Sequence, residues 1–206
     1  DGHIWFATDQ GVQSYDGLNW VTYTDEDGLA GNRVSRIQQA QDGAMWFQGE
    51  GGISRFDGKN WTLYHDPGIR LPAGTTIRGW SWKVDRRGAL WAGARWEKDQ
   101  SEMGGNLVRW DGDEWVQMEV EDVGSNIPVE NIYETSDGEL WIATKGLGVL
   151  RFDGTRWAQY TTEDGLLAND VYAIFEFQAG DLWLFHEDGA SFSQFDRQLL
   201  RAIGPD

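Results

Sequence analysis

The chain repeats itself, and a fixed repeat restricts a fold more than any composition does. A tryptophan preceded by a small or apolar residue recurs at Trp5, Trp46, Trp91, Trp141 and Trp183, at spacings of 41, 45, 50 and 42 residues. A turn pair stands just before each: Asp1-Gly2, Asp42-Gly43, Arg87-Gly88, Asp137-Gly138 and Ala179-Gly180. A second series follows: Tyr15-Asp16-Gly17, Phe56-Asp57-Gly58, Trp110-Asp111-Gly112 and Phe152-Asp153-Gly154, decaying to Phe195-Asp196-Arg197 in the fifth copy. A second tryptophan trails each conserved glycine of that series, at Trp20, Trp61, Trp115 and Trp157.

Each copy reads as four short strands. Between Arg33 and His65, Val34-Ser35-Arg36-Ile37 alternates, Asp42-Gly43 turns, and Ala44-Met45-Trp46-Phe47 forms a second strand. Gly52-Ile53-Ser54-Arg55-Phe56 is a third, Asp57-Gly58 turns again, and Trp61-Thr62-Leu63-Tyr64 is the fourth. Asp-Gly between β-rich runs is a strong hairpin signal, because Gly and, less readily, Asp accept positive φ. No stretch carries a sustained helical period. A repeated four-stranded unit of this length is a propeller blade. The expected fold class is therefore all-β: a β-propeller of about five four-stranded blades, the first lacking its innermost strand.

With strands A to D named from the inside outward, the sequence gives B, C and D in the first copy and A to D in four more, nineteen in all. Strands A are expected near 33–40, 77–85, 129–135 and 171–177. Residues 1–206 read as one domain, with repeats at about 1–32, 33–76, 77–128, 129–169 and 170–206. The tail Ile203-Gly204-Pro205-Asp206 is too short to supply the missing strand. Two explanations stay open: an incomplete first blade, or a segment of a larger propeller. The opening residues read as the middle of a repeat, so a mature or excised piece is expected.

The string Asp27-Gly28-Leu29-Ala30-Gly31-Asn32-Arg33-Val34, followed by Ile37, Asp42-Gly43, Trp46, Gly51-Gly52-Ile53 and Arg55-Phe56-Asp57, resembles the two-component regulator propeller repeat. It returns at Asp164-Gly165-Leu166-Leu167-Ala168-Asn169-Asp170-Val171, and partly at Trp141, Gly146-Leu147-Gly148 and Arg151-Phe152-Asp153. The resemblance runs along essentially the whole chain. It implies a propeller sensor or ligand-binding module, often the periplasmic or extracellular part of a bacterial signalling protein; it does not imply catalysis, and no cofactor is expected. The motif specifies the blade and leaves the ligand open.

Charge narrows the partners. A net charge of −17 disfavours a nucleic-acid backbone, which needs a basic footprint, and an anionic membrane surface. The absence of cysteine removes disulfides, thiolate catalysis and cysteine-based zinc sites. No run of apolar residues is long enough to span a bilayer. The expected partner is a small molecule or oligosaccharide, or a protein.

Both Asp-Gly series fall on one face of the blades. The other face carries the D-to-A and B-to-C loops, expected at Asp25 to Arg33, Asp66 to Arg78, Glu121 to Pro128, Glu163 to Asp170 and, longest of the B-to-C loops, Trp96 to Gly105. Variable loops on a rigid scaffold are where binding resides. The repeated tryptophans read as interblade packing. Trp80, Trp82 and Trp96 depart from the repeat, beside Arg78, Arg95 and Lys98, in the copy with the 50-residue spacing. An exposed indole near a guanidinium stacks sugars or aromatic ligands. These six residues are the candidate ligand-binding set, favouring a neutral or anionic glycan; the competing reading is a core enlarged to suit a longer blade.

The acidic run Asp25-Glu26-Asp27 lacks the alternate spacing of a calcium loop, and Asn32 and Asn169 are expected to bond nearby backbone. His3, His65 and His186 fall at unrelated repeat positions, and no nucleophile motif or phosphate loop is present. A non-catalytic sensing or interaction module is the leading expectation. The alternatives are a propeller lyase or glycoside hydrolase using loop-face carboxylates, and a structural spacer.

Overall fold

The computed structural model describes residues 2–65, 76–98, 102–111, 113–178, 180–186, 191–196 and 199–203. The chain forms two compact units: 1–68 with 86–88, and 69–85 with 89–206. Among the described residues there are nineteen strands and one short 3-10 turn, Thr162–Asp164. None of the described helices is long and apolar enough to cross a membrane.

The first unit holds two blades. Blade 1 is a three-stranded antiparallel sheet of β1 (Ile4–Thr8), β2 (Gly11–Tyr15) and β3 (Trp20–Tyr23). Blade 2 is four-stranded: β4 (Val34–Gln39), β5 (Met45–Gly49), β6 (Gly52–Phe56) and β7 (Trp61–His65). Between them Val12, Leu29, Val34 and Phe47 are buried, with Trp5, Tyr23, Ile37, Met45, Phe56 and Trp61 packed around them. Trp5 stacks on Tyr23 at 5.7 Å and tilts against Phe47 at 5.4 Å.

The second unit holds three blades. Blade 3 comprises β8 (Thr76–Val84), β9 (Leu90–Lys98), β10 (Glu102–Trp110) and β11 (Trp115–Gln117). Blade 4 comprises β12 (Val129–Glu134), β13 (Leu140–Thr144), β14 (Val149–Phe152) and β15 (Trp157–Tyr160). Blade 5 comprises β16 (Val171–Gln178), β17 (Asp181–His186), β18 (Phe192–Asp196) and β19 (Leu199–Ile203). Every sheet is an antiparallel meander in chain order. Trp91, Leu107, Ile127, Ile132, Ile142 and Leu150 form the core between blades 3 and 4. Trp141, Val149, Ile174, Leu182, Leu184 and Phe195 form the one between blades 4 and 5. The chain is thus all-β and built of propeller blades, with strands A at the expected positions.

The repeat motif has a physical content that recurs copy by copy. In the loop after blade 1, Asn32 Oδ1 accepts from the Asp25 N–H at 2.9 Å and Thr24 N–H donates to Asp27 at 2.8 Å. After blade 4, Asn169 Oδ1 accepts from Thr162 N–H at 2.9 Å and Thr161 N–H donates to Asp164 at 2.9 Å. Both asparagines bond local backbone, as their type suggests. Asp25 is held too, accepting from the Asn32 amide at 2.8 Å. Gly148 shows why a glycine opens strand C: its φ is +74°, and a Cβ there would lie 2.0 Å from the Tyr160 carbonyl oxygen.

Arginine adds a second device. The residue before the aromatic of Arg-Phe-Asp or Arg-Trp-Asp lies over the strand-B tryptophan: Arg55 over Trp46 at 6.0 Å, Arg109 over Trp91 at 5.5 Å and Arg151 over Trp141 at 5.8 Å. Blade 5 carries Gln194 at that place, donating to Asp181 at 2.7 Å.

Candidate functional site

Strand A opens each four-stranded blade with a bulge. The register slips one residue between Val34 and Arg36, Ile77 and Gly79, Val129 and Asn131, and Val171 and Ala173. The residue left over is Ser35, Arg78, Glu130 or Tyr172. A bulge re-aims the side chain that it strands, and bulges gather beside functional sites. These four positions sit where the D-to-A loop delivers the chain to the sheet. They differ in chemistry while the scaffold around them repeats, as expected of recognition positions.

Two of the four line one recess in the second unit. Arg95, Glu130, Lys145, Asp170, Val171 and Tyr172 enclose about 60 Å³. Arg95, on β9, ion-pairs with Glu97 beside it and with Glu130 of blade 4. Lys145, in the B-to-C loop of blade 4, pairs with Asp170 at 3.0 Å, just ahead of β16. Side-chain exposures of 13% for Arg95 and 17% for Glu130 mark the inner pair, and 42% for Asp170 marks the rim. Burial pushes the Glu130 carboxyl above its ordinary range, and Arg95 opposes that rise. Tyr172, 43% exposed, offers an aromatic surface beside the charges.

The six sequence candidates divide. Arg95 lies in the recess. Arg78 occupies the blade 3 bulge equivalent to Glu130 and Tyr172, and its side chain lies outside the described residues. Lys98 is half-buried at the end of β9, opposite Glu102 in register. Trp80 is half-buried, with its indole N–H enclosed and lacking an acceptor. Trp82 and Trp96 are corrections to the stacking platform: they are 0% and 7% exposed, closed to a ligand. Trp82 faces Ala92 and Trp80 faces Ala94 across β8 and β9, so alanines make the room that the indoles fill. Trp96 was expected in a loop from 96 to 105; instead β9 runs to Lys98 and β10 resumes at Glu102. Gly104 opposite Trp96 admits its ring, which lets the hairpin continue. The loop expected at Asp66 to Arg78 lies largely outside the described residues.

Local charge is also corrected. Within the recess Arg95 and Lys145 are matched by Glu130 and Asp170, and Glu97 beside Arg95 makes the surrounding cluster net negative by one formal charge. An anionic ligand would meet carboxylates already holding both cations. Glu130, Lys145, Asp170 and Tyr172 escaped the sequence reading. The signal for two of them was the residue after the Val that opens strand A, visible only once the repeats are stacked.

His186 is 1% exposed, with Nε2 2.8 Å from Ser193 Oγ and Nδ1 3.3 Å from the Asp170 carbonyl oxygen. Ser193 Oγ also accepts from Leu167 N–H at 3.0 Å, as Ser54 Oγ accepts from Ala30 N–H at 2.7 Å in blade 2. The histidine is thus tied into a loop anchor that blade 2 makes without one.

Residues 123–146, running from the loop ahead of blade 4 to its B-to-C turn, match the family model described as two component regulator propeller. Over that segment the chain is similar to the regulator propeller repeat. The chain has no match among curated protein sequences. Solved structures share the blade architecture at low identity. The extracellular domain of a hybrid two-component system protein of B. thetaiotaomicron matches with a TM-score of 0.58 at 17% identity, over 100% of this chain and 32% of that one. PorZ, a surface component of the type-IX secretion system of Porphyromonas gingivalis, matches at 0.61 and 19%, over 94% and 30%. Virginiamycin B lyase of Staphylococcus aureus, solved with quinupristin, matches at 0.60 and 16%, over 100% and 67%. The chain spans about a third of the length of the first two, and at these identities the likeness is one of fold.

Proposed function

We propose that this chain is a non-catalytic, ligand-sensing or interaction part of a regulator-type propeller, working outside the cytoplasm. The observation that carries it is the repeated bulge, one position in each four-stranded blade on a repeated scaffold, with Glu130 and Tyr172 of blades 4 and 5 converging on a charge-paired recess. The regulator repeat and the fold shared with extracellular two-component domains support the same reading.

The recess chemistry suits a hydroxyl-rich, neutral or cationic ligand. Carboxylates accept from sugar hydroxyls or amines, Lys145 and Arg95 donate, and Tyr172 supplies a face for a ring. At about 60 Å³ the recess admits a single hydroxyl, amine or similarly small group of a ligand that otherwise lies against the surface, and a few charge-assisted hydrogen bonds give affinities on the order of micromolar to millimolar. Isothermal calorimetry with cellotriose, a glucosamine trimer and a galacturonate trimer tests this. Binding of either of the first two, and none of the third, is expected; binding of the galacturonate trimer alone, or of none, contradicts it.

The shared fold of virginiamycin B lyase supplies a second reading, catalysis from the loop face. Against it stands His186, enclosed beside Ser193 rather than presented to a ligand. Turnover of any bound probe would favour the lyase reading.

A further inference from the structure

A second cavity in the three-blade unit encloses a polar atom that its neighbours leave unmatched. On the Asp-Gly turn side of the seam between blades 4 and 5, about 70 Å³ is lined by Thr135, Asp137, Glu139 and Trp141 of blade 4 and by Leu182 and Phe195 of blade 5. Trp141 is 1% exposed, and its indole N–H, closed off from solvent, meets no acceptor among the described residues. A buried N–H without an acceptor forfeits the hydrogen bond that it makes to water in the unfolded chain. Arg151 over the ring and Tyr160 stacked against it at 5.6 Å hold the indole in place.

The neighbouring blades satisfy the same indole with a carboxylate. In blade 3, Asp85 closes the A-to-B turn: one oxygen accepts from Ala89 N–H at 2.9 Å and the other from the Trp91 indole N–H at 2.9 Å. In blade 5, Asp181, two residues before Trp183, accepts from that indole at 3.3 Å. Blade 4 has closed both routes. Thr135 stands at the place of Asp85, its N–H donating to the Glu139 carbonyl as Asp85 N–H donates to that of Ala89. Thr135 Oγ1 accepts from Glu139 N–H at 3.1 Å, the first of the two bonds that Asp85 takes, and threonine has no second oxygen for the other. Glu139 stands at the place of Asp181, and Arg151 claims its carboxylate through two hydrogen bonds.

We propose that this cavity is a binding site, separate from the recess on the loop face, for a small uncharged molecule that accepts one hydrogen bond and donates others, and that its occupant is water. An indole N–H only donates, so the occupant presents an oxygen to it. Asp137 and Glu139 disfavour an anion, and Arg151, which also lines the cavity, disfavours a cation. The carboxylates accept the protons of the occupant. The volume exceeds the roughly 10–15 Å³ that one buried water needs, and the polar wall supplies the several partners that such a water requires. The water takes the part that one oxygen of Asp85 has in blade 3.

The test is nuclear magnetic resonance on the intact, isotope-labelled chain, reading rotating-frame Overhauser peaks between water and the indole N–H groups. Trp141→Phe and Trp91→Phe assign the two resonances. A water held against an indole gives a peak opposite in sign to the diagonal, whereas proton exchange gives the same sign. The opposite-sign peak is expected at Trp141 and not at Trp91, where Asp85 is the partner. Thr135→Asp supplies a carboxylate oxygen, so the peak is lost and the Trp141 N–H resonance moves towards that of Trp91. Thr135→Asp/Asp137→Asn, which removes the like charge beside the new carboxylate, is the second variant, with the same loss expected. Thr135→Val removes the hydroxyl, whose exchanging proton also relays a water signal, and the peak is expected to persist. Unchanged resonances of the remaining indoles check the fold. A wild type without the opposite-sign peak at Trp141, a peak lost in folded Thr135→Val, or one that survives in a folded aspartate variant overturns the proposal.

Discussion

Gly104 stands under the indole of Trp96, where an added Cβ would fall 2.3 Å from the ring carbon Cζ2. Gly104 is paired directly opposite Trp96 in the β9–β10 register, so glycine here is a space requirement. Trp96→Ala is therefore expected to cost about 3–5 kcal/mol, like any buried aromatic truncation, and Trp46→Ala a similar amount. Gly104→Ala should also destabilise, by forcing the ring aside. Urea midpoints of the three variants check this; a near-silent Trp96→Ala would contradict it.

Ser193 serves two partners, Leu167 N–H and the His186 ring. Removing its hydroxyl leaves buried polar groups unmatched. Ser193→Ala is expected to cost about 1–3 kcal/mol. Ser54→Ala, which strands only Ala30 N–H, should cost less. Thermal melts that rank the two in the reverse order would show that His186 adds nothing to the anchor.

Arg151 lies over the Trp141 ring, holds Glu139 through two hydrogen bonds and reaches the Tyr160 hydroxyl at 3.3 Å. Those hydrogen bonds raise the affinity of the guanidinium for its proton, so it stays charged at any working pH. Lysine cannot reproduce a planar fork over a ring. Arg151→Lys is expected to lower stability by about 1–2 kcal/mol. A thermal shift within error of wild type would reduce the repeated arginine to decoration.

Asp16, Asp57, Asp111 and Asp153 each accept two backbone N–H bonds in the C-to-D turn, which holds their carboxyls below the ordinary range. The folded state therefore binds these protons less readily than the unfolded chain. Their contribution is complete above the unfolded carboxylate value of about 3.9 and vanishes as pH falls through the lower folded values. Replacing all four by Asn keeps an acceptor and removes the titration. The loss of stability on going from pH 5 down towards pH 2 to 3 is expected to shrink in that variant; an unchanged acid profile would contradict the assignment.

The architecture was legible because it is periodic. The Asp-Gly pairs and the tryptophans beside them sit at turns and strands as their spacing implies, since glycine conformation and strand alternation are local properties. The site was not, for two reasons visible in single residues. Trp96 reads as a loop aromatic because nothing in its neighbourhood announces that β9 and β10 run past the usual blade length; only the pairing with Gly104 does. Glu130 and Tyr172 look ordinary in line, and become a row only when a one-residue bulge turns up at the same place in several blades. Likewise Arg95 reads as a free cation until Glu97 and Glu130 are seen against it.

Recognition is proposed to occur at the strand-A bulges of blades 4 and 5, around the recess that Glu130 and Tyr172 line. Amide hydrogen exchange, recorded with and without saturating cellotriose or glucosamine trimer, tests it most directly. Slowed exchange is expected around 95–98, 129–131, 145–148 and 169–173, abolished in a folded Glu130→Gln/Asp170→Asn variant. Protection confined to the Asp-Gly turns around 57–60 and 153–156, or protection unchanged in that variant, would contradict it.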